Sequence, residues 1–296
     1  MTSRFSIACG VILHHGLVEV LLALSFALLN VDGKRFLNTM SRLYELSRER
    51  LRRFRKVIVF GDLHGDYAAL QSGLGMVDPV KDCVVFLGDY ADRGPSGVEV
   101  IDAVGSLMRD FAGNVFALKG NHEDYTESGE PEFWPCTLID EVREKRGDWQ
   151  NYFQTTFKPF VSNLYLVLIV PGETLFIHGG VSTKIKSLKD LERPTRDVEM
   201  DVLWSDPFEG YGEHPNWERG VGVEFGPDVS EAVCKLLGVK RIVRSHQPAR
   251  ALKGPSYSHN NKVVTISSTN VYGGEPFLLS IDPTDLSQVQ VINLLH

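Results

Sequence analysis

Cysteine is scarce in this chain of 296 residues, and the four present do not pair up along the sequence. Cys9, Cys83, Cys136 and Cys234 lie far apart with no Cys-x-x-Cys motif, which argues against a dense disulfide framework or a thiolate zinc knot. All four read as reduced thiols, Cys83 opening an apolar strand and Cys234 sitting in a helix. Positive charge is not in excess either: 31 lysines and arginines against 38 aspartates and glutamates leave a formal charge of −7. A broad basic face that grips nucleic acid is therefore not expected, and an anionic substrate must be attracted locally. No clean apolar run is long enough to span ~30 Å of hydrocarbon. Ile7 to Leu29 is mostly apolar, but His14, His15 and Glu19 leave Val20 to Leu29 as its longest uninterrupted stretch. Internal repeats, low-complexity tracts and interdomain linkers are missing too.

The N-terminal segment followed by the basic run Arg48 to Lys56 has the layout of a signal or anchor, and its length suits a signal-peptide core better than a membrane span. Residues 1–55 are expected to form a helical extension, including a charged helical stretch from Arg42 to Phe54. Targeting or membrane association through it is left open, with a cytoplasmic location expected otherwise. Residues 56–296 are expected to form one catalytic domain.

From Lys56 the texture changes. Lys56 to Phe60, Cys83 to Leu87 and Asn114 to Leu118 are short apolar runs that end in Gly-Asp, Gly-Asp and a Lys-Gly-Asn step. Helices are expected at Tyr67 to Met76 and Ser96 to Phe111. Three β-loop-α units in a row predict a parallel sheet with covering helices. After Phe160 strands dominate: Leu164 to Val170 and Thr174 to Ile177 about a Pro171-Gly172-Glu173 turn, then Arg241 to Arg244, Val263 to Ser267, Phe277 to Ile281 and Val289 to Leu294. So many strands imply a second sheet face to face with the first. The spacing also predicts helices within Glu132 to Phe160 and over Pro227 to Leu237, and a long loop from Ser205 to Glu224 that shapes a cleft.

The strand ends carry the chemistry. Asp62 with His64, Asp89, Asn121, His178 and His246 each follow an apolar strand, and such loops converge at the carboxyl ends of strands in an α/β sheet. One such residue alone is a turn former or a cap, but six together form a donor set. Glycines at 61, 65, 88, 94, 120, 179 and 180 fit tight loops that approach an ion or a phosphate. Oxygen and imidazole donors without thiolates suit two divalent ions, manganese first, with iron, zinc or magnesium as alternatives. Asp89 is the natural bridge, and such a pair lowers the pKa of a bridging water and stabilises in-line displacement at phosphorus. On the residues alone, His122 reads as a further ligand, Arg93 as a loop salt bridge and Arg219 as a solvated charge.

These motifs, Gly61-Asp62-Leu63-His64-Gly65, Gly88-Asp89-Tyr90-Ala91-Asp92-Arg93-Gly94, Gly120-Asn121-His122-Glu123, His178-Gly179-Gly180 and Ser245-His246-Gln247, resemble the phosphoprotein phosphatase (PPP) group of calcineurin-like metallophosphoesterases, including the ApaH-like phosphatases. The resemblance covers about Val57 to Asn270. It implies an α/β metallophosphoesterase fold of two mixed β-sheets packed face to face and flanked by helices. It further implies Asp62, His64 and Asp89 around one metal, and Asp89, Asn121, His178 and His246 around the other. His122 would protonate the leaving oxygen, Asp92 would orient His122, and Arg93 with Asn121 would hold the phosphate. Leu203 to Pro207 followed by Arg219 to Gly226 resembles a further PPP block and makes Arg219 the second phosphate arginine, each fork contributing ~1.5–3 kcal/mol when partly desolvated.

For the substrate the motifs divide. Protein phosphatases carry a Ser-Ala-Pro-Asn-Tyr block where this chain has Ser267-Ser268-Thr269-Asn270-Val271, with Tyr272 one position late. Asp92-Arg93-Gly94-Pro95 is similar to the Arg-Gly-Pro run of diadenosine tetraphosphatases. The first expectation is an ApaH-like phosphatase in which a metal-bound hydroxide attacks a dinucleoside polyphosphate such as diadenosine tetraphosphate. The alternative is a phosphoserine/phosphothreonine protein phosphatase, and an inactive scaffold comes third. The expected partner is thus a phosphorylated small molecule or a phosphoprotein. Capped RNA enters only through local basic residues such as Arg241, Arg244, Arg250 and Lys253.

Overall fold

The computed structural model describes residues 41–294. The apolar runs become strands wherever both their faces can be buried, because a fully apolar strand has no side to give to water. The first half supplies β1 (Leu43–Glu45), β2 (Val57–Phe60), β3 (Cys83–Phe86), β4 (Val115–Ala117), β5 (Val167–Val170) and β6 (Thr174–Ile177). The second half supplies β7 (Asp206–Pro207), β8 (Glu213–Pro215), β9 (Val223–Phe225), β10 (Arg241–Arg244), β11 (Ser256–Ser258), β12 (Val263–Thr265), β13 (Phe277–Ile281) and β14 (Val289–Asn293).

One sheet runs β14-β13-β2-β3-β4 and the other β1-β5-β6-β10-β12-β11. Strands β2, β3 and β4 are parallel, with Val57 opposite Cys83 and Val84 opposite Val115, as the βα rhythm predicts. The β5–β6 hairpin is antiparallel about its Pro171-Gly172-Glu173 turn. Alternation along a strand then sorts side chains into layers. Val57, Val59, Val85 and Phe116 meet Leu168, Phe176, Val243 and Val264 between the sheets. Ile58, Phe60, Val84 and Phe86 face the other way, under helices Tyr67–Leu74 and Gly97–Asp110. On the far side Ile169, Leu175 and Ile242 pack against helices Arg196–Trp204 and Pro227–Leu237. Two mixed sheets face to face with flanking helices is the expected class.

Three local expectations are corrected. Ser205 to Glu224 is not structureless: β7, β9 and β8 make a small third sheet, with Asp206 opposite Glu224 and Glu213 opposite Phe225. Strands of two and three residues are too short to show a period. Within Glu132 to Phe160 the first helix starts only at Leu138, and the chain passes through a π-helical turn at Phe153–Phe157. Arg42 to Phe54 is not one charged helix but the edge strand β1, parallel to β5, followed by the short helix Arg48–Leu51.

The compact unit therefore starts at Ser41 rather than Lys56. The basic run is absorbed by it: Arg48 pairs with Glu173, Arg53 with Glu49 and Arg55 with Asp82, while Arg50 donates to Tyr44 Oη and the Gly113 carbonyl. The apolar segment Ile7 to Leu29 lies outside the described residues. No helix among the described residues is long and apolar enough to cross a membrane. Cys83, Cys136 and Cys234 are free thiols, and burial pushes each of them up from its ordinary value.

Candidate active site

The loops after β2, β3, β4, β6 and β10 meet at one edge of the sandwich, and the six donors expected from the sequence meet with them. Asp89 lies at the centre. Its Oδ2 is 3.4 Å from His64 Nε2 and its Oδ1 is 3.4 Å from His178 Nε2, so each carboxylate oxygen faces a different imidazole. Two constellations able to hold a cation share it: His64, Asp89 and His122, and Asp89, His178 and His246. Asn121 joins the second through its Oδ1, 3.0 Å from His178 Nε2. Asp62 Oδ1 lies 3.8 Å from His178 Nδ1 and accepts from the His246 backbone N–H at 3.0 Å, which leaves its Oδ2 free of protein partners.

The donor set fits divalent ions on three counts. Asp62 Oδ2 and His246 Nε2 are buried with no hydrogen-bond partner, which is costly for groups not meant for something else. Burial holds His64 and His178 neutral, each lowered to about 3, and His246 well below its ordinary value; neutral imidazole is the ligating form. Asp89 is pushed far up by burial and then by Asp62 and Glu123, a crowd of buried carboxylates that calls for a counter-cation.

The backbone is forced to make this cluster. His64, Asp89, Asp92, Arg93 and His246 all take positive φ, from 46° at His64 to 73° at Arg93. They are five of eight such non-glycine residues among those described, and each stores ~1–3 kcal/mol. Gly88 and Gly120 provide the close approach: a methyl on Gly120 would overlap the Asp89 carboxylate, and one on Gly88 (φ 106°) would meet the Gly120 backbone.

Glu123 closes the Gly120-Asn121-His122-Glu123 motif but was given no role from the sequence, and it proves central to the scaffold. Its Oε2 accepts from the backbone N–H groups of Asp89 and Gly120, both at 2.9 Å, and its Oε1 from that of Tyr90 at 3.0 Å. One carboxylate thereby ties the β3 loop to the β4 loop. The only sequence signal was its place after Asn121-His122. Glu123→Gln has a single acceptor oxygen and must leave at least one of these amides facing an NH₂ group. We expect metal affinity to fall ~10–100-fold, as for other groups that orient ligands, while circular dichroism still reports a folded chain. Unchanged metal titration would contradict this.

His122 is held from two sides. Its Nδ1 is 2.8 Å from Asp92 Oδ2, and its ring packs 4.4 Å from that of Phe133. Asp92 Oδ1 accepts from the Thr137 and Leu138 backbone N–H groups. Burial pushes Asp92 up, but the His122 contacts and those amides hold it below its ordinary value. Ionised Asp92 can only accept, so the Nδ1 of His122 carries the proton and Nε2 is left for the site.

Arg219 is not a free surface charge. Its Nε donates to Asp206 Oδ2 at 3.1 Å and its Nη2 to the His246 carbonyl at 3.4 Å. Asp206 is held in turn by fully buried Arg244, Nη2 to Oδ1 at 3.0 Å. Arg93 sits exposed across the site, its backbone N–H donating to Thr137 Oγ1. Tyr272 also arrives here, despite its late place in the sequence. Its hydroxyl is 3.5 Å from His64 Nε2, and burial pushes it up against the pull of Arg93.

A model of the calcineurin-like phosphoesterase domain matches residues 55–250. The chain belongs to the calcineurin-like phosphoesterase family. This phosphoesterase is 32% identical over 254 residues to a serine/threonine-protein phosphatase of Caenorhabditis elegans, covering 82% of the chain and 53% of that protein. It is 34% identical over 227 residues to a probable serine/threonine-protein phosphatase of Encephalitozoon cuniculi, covering 74% and 48%. The chain thus spans about half the length of the relatives it matches. Its fold is similar to a serine/threonine phosphatase structure from Saccharomyces cerevisiae, with a TM-score of 0.73, 24% identity and coverage of 87% and 85%. It is also similar to a putative diadenosine tetraphosphatase, with a TM-score of 0.52, 15% identity and coverage of 86% and 99%. At these identities the two structures speak for the fold. The metallophosphoesterase family is thereby shown, together with two residue groups that could hold a metal ion.

Proposed function

We propose that this phosphoesterase hydrolyses phosphoserine and phosphothreonine in proteins, using two divalent ions, manganese first among them. The observation that carries the reading is Tyr272: its hydroxyl lies 3.5 Å from His64 Nε2, and Arg93 pulls against the burial that raises its pKa, so a tyrosine stands beside one of the two expected phosphate arginines, as the resemblance to protein phosphatases implies. This reverses the order expected from the sequence, where the displaced tyrosine favoured a dinucleoside polyphosphate. The names of the relatives at 32% and 34% identity support the same order.

In this reading Asp62, His64 and Asp89 would hold one ion, and Asp89, Asn121, His178 and His246 the other. When bound there, divalent ions would lower the pKa of a water and supply positive charge for the phosphoryl group. Arg93 and Arg219 donate paired hydrogen bonds to the phosphate, with Asn121 beside them, and Asp206 fixes the angle of Arg219. Water adds to phosphorus, the bond to the serine or threonine oxygen breaks, and His122 delivers a proton to that oxygen. Asp92 holds the ring in place for this transfer.

Dinucleoside polyphosphate hydrolysis remains the second reading, favoured by Asp92-Arg93-Gly94-Pro95. A phosphothreonine peptide, diadenosine tetraphosphate and capped RNA assayed side by side in manganese buffer separate the readings. We expect the peptide to have the highest kcat/KM; a higher value for the dinucleotide restores the other order.

A further inference from the structure

The four tryptophans of the chain divide sharply. Trp149 and Trp204 are buried at 5% and 9% exposure, whereas Trp134 and Trp217 stand 88% and 84% exposed. Single exposed apolar residues are ordinary, but a solvated indole leaves a large apolar face unused, and both of these lie on loops that touch the catalytic centre. Trp134 follows Phe133, whose ring packs on His122. Trp217 lies between Asn216 and Arg219, both of which bond Asp206, and Arg219 reaches the His246 carbonyl. His122 and His246 belong to the two constellations that share Asp89, so the two loops border one site.

The same loops are acidic. No lysine or arginine occurs from Gly120 to Val142, and Arg219 is the sole one from Asp197 to Cys234. Exposed Glu130 and Glu218 pair with no cation within 4.0 Å among the described residues, in contrast to Glu132, which Arg196 engages. We propose that Trp134 and Trp217, with these glutamates, form a substrate rim that selects phosphoproteins carrying arginine or lysine beside the phosphorylated residue. An indole face attracts a guanidinium or ammonium group, and nearby carboxylates complete its pairing. An apolar neighbour of the phosphoresidue would use the indoles but leave the charge unexplained, and a dinucleoside polyphosphate could stack its bases on the indoles but would bring its anionic phosphates to an acidic rim. The inference rests on the protein-phosphatase reading above.

Two phosphothreonine peptides that differ only in flanking arginines or glutamates test it, with p-nitrophenyl phosphate as a small substrate that does not reach the rim. The arginine peptide should exceed the glutamate peptide in kcat/KM, and added salt should narrow the gap. Trp134→Ala and Trp217→Ala should each lower the ratio of kcat/KM for the arginine peptide to that for p-nitrophenyl phosphate by about 3- to 30-fold. The double variant Glu130→Gln with Glu218→Gln should narrow the gap between the peptides. Equal rates on both peptides, or tryptophan variants that lower p-nitrophenyl phosphate as much as peptide, overturn the rim while leaving the protein-phosphatase reading in place. Refusal of both peptides alongside turnover of diadenosine tetraphosphate overturns that reading itself.

Discussion

Asp89→Asn should strip both metal ions from the protein together and reduce turnover by ~10³-fold or more, because several kcal/mol of charge stabilisation disappear with the ions. The geometry makes the loss joint rather than partial. One oxygen of Asp89 faces His64 and the other faces His178, each at 3.4 Å, so the carboxylate is common to both constellations. Asparagine keeps the shape but replaces one oxygen donor by an NH₂ group and removes the charge. It also takes away or weakens the acceptor for the His122 backbone N–H, now 3.0 Å from Asp89 Oδ1. Relief of the crowding with Asp62 and Glu123 works in the opposite direction for folding, since three buried carboxylates repel one another in the absence of cations. The variant should therefore melt no earlier than the metal-free parent while binding neither ion. Metal content per chain by elemental analysis, with anomalous scattering to locate each ion, reads the result. Two ions at full occupancy in Asp89→Asn would refute a shared ligand.

The sandwich was legible because its strands carry an unmistakable burden: Val57–Phe60, Cys83–Phe86 and Thr174–Ile177 are apolar on both faces and have nowhere to go except between layers. The donors were legible for a related reason, since polar residues placed just after such strands converge once the strands lie side by side. Failure came where local pattern is too short or where tertiary contact decides. Leu43–Glu45 is a three-residue edge strand, held by pairing to β5 and by packing of Tyr44 on Phe116, neither of which leaves a period in the sequence. Tyr272 looked misplaced when counted along the chain, yet the segment after β12 has enough latitude to bring its ring 5.5 Å from that of His64. The left-handed backbone at His64, Asp89, Asp92, Arg93 and His246 had no signal either, because none of them is glycine. Such strain persists only when surrounding contacts over-determine it, and here Glu123, the Thr137 and Leu138 amides and the buried Arg244–Asp206 pair do so.

His122→Asn should lower kcat by ~10²–10⁴ with both ions retained, the expected loss when a general acid is removed. Two observations bear on this residue and point in different directions. Its position with His64 and Asp89 is compatible with a third ligand to one ion. Its Nδ1, however, is committed to Asp92, which is itself fixed by two backbone amides, and Phe133 covers the ring. That is an arrangement for aiming an imidazole, because Nδ1 is tied to a buried carboxylate and Nε2 is left to face the site. The two roles separate by leaving group. An acid matters most when the departing oxygen is a poor leaving group, as the alkoxide of serine or threonine is. It matters little for p-nitrophenolate, which leaves without help. The variant should thus lose much more activity on a phosphothreonine peptide than on p-nitrophenyl phosphate. Asp92→Asn should show the same pattern more mildly, since the ring keeps a hydrogen-bond partner but loses the charge behind it. Equal losses on the two substrates, accompanied by the disappearance of one ion, would instead make His122 a ligand.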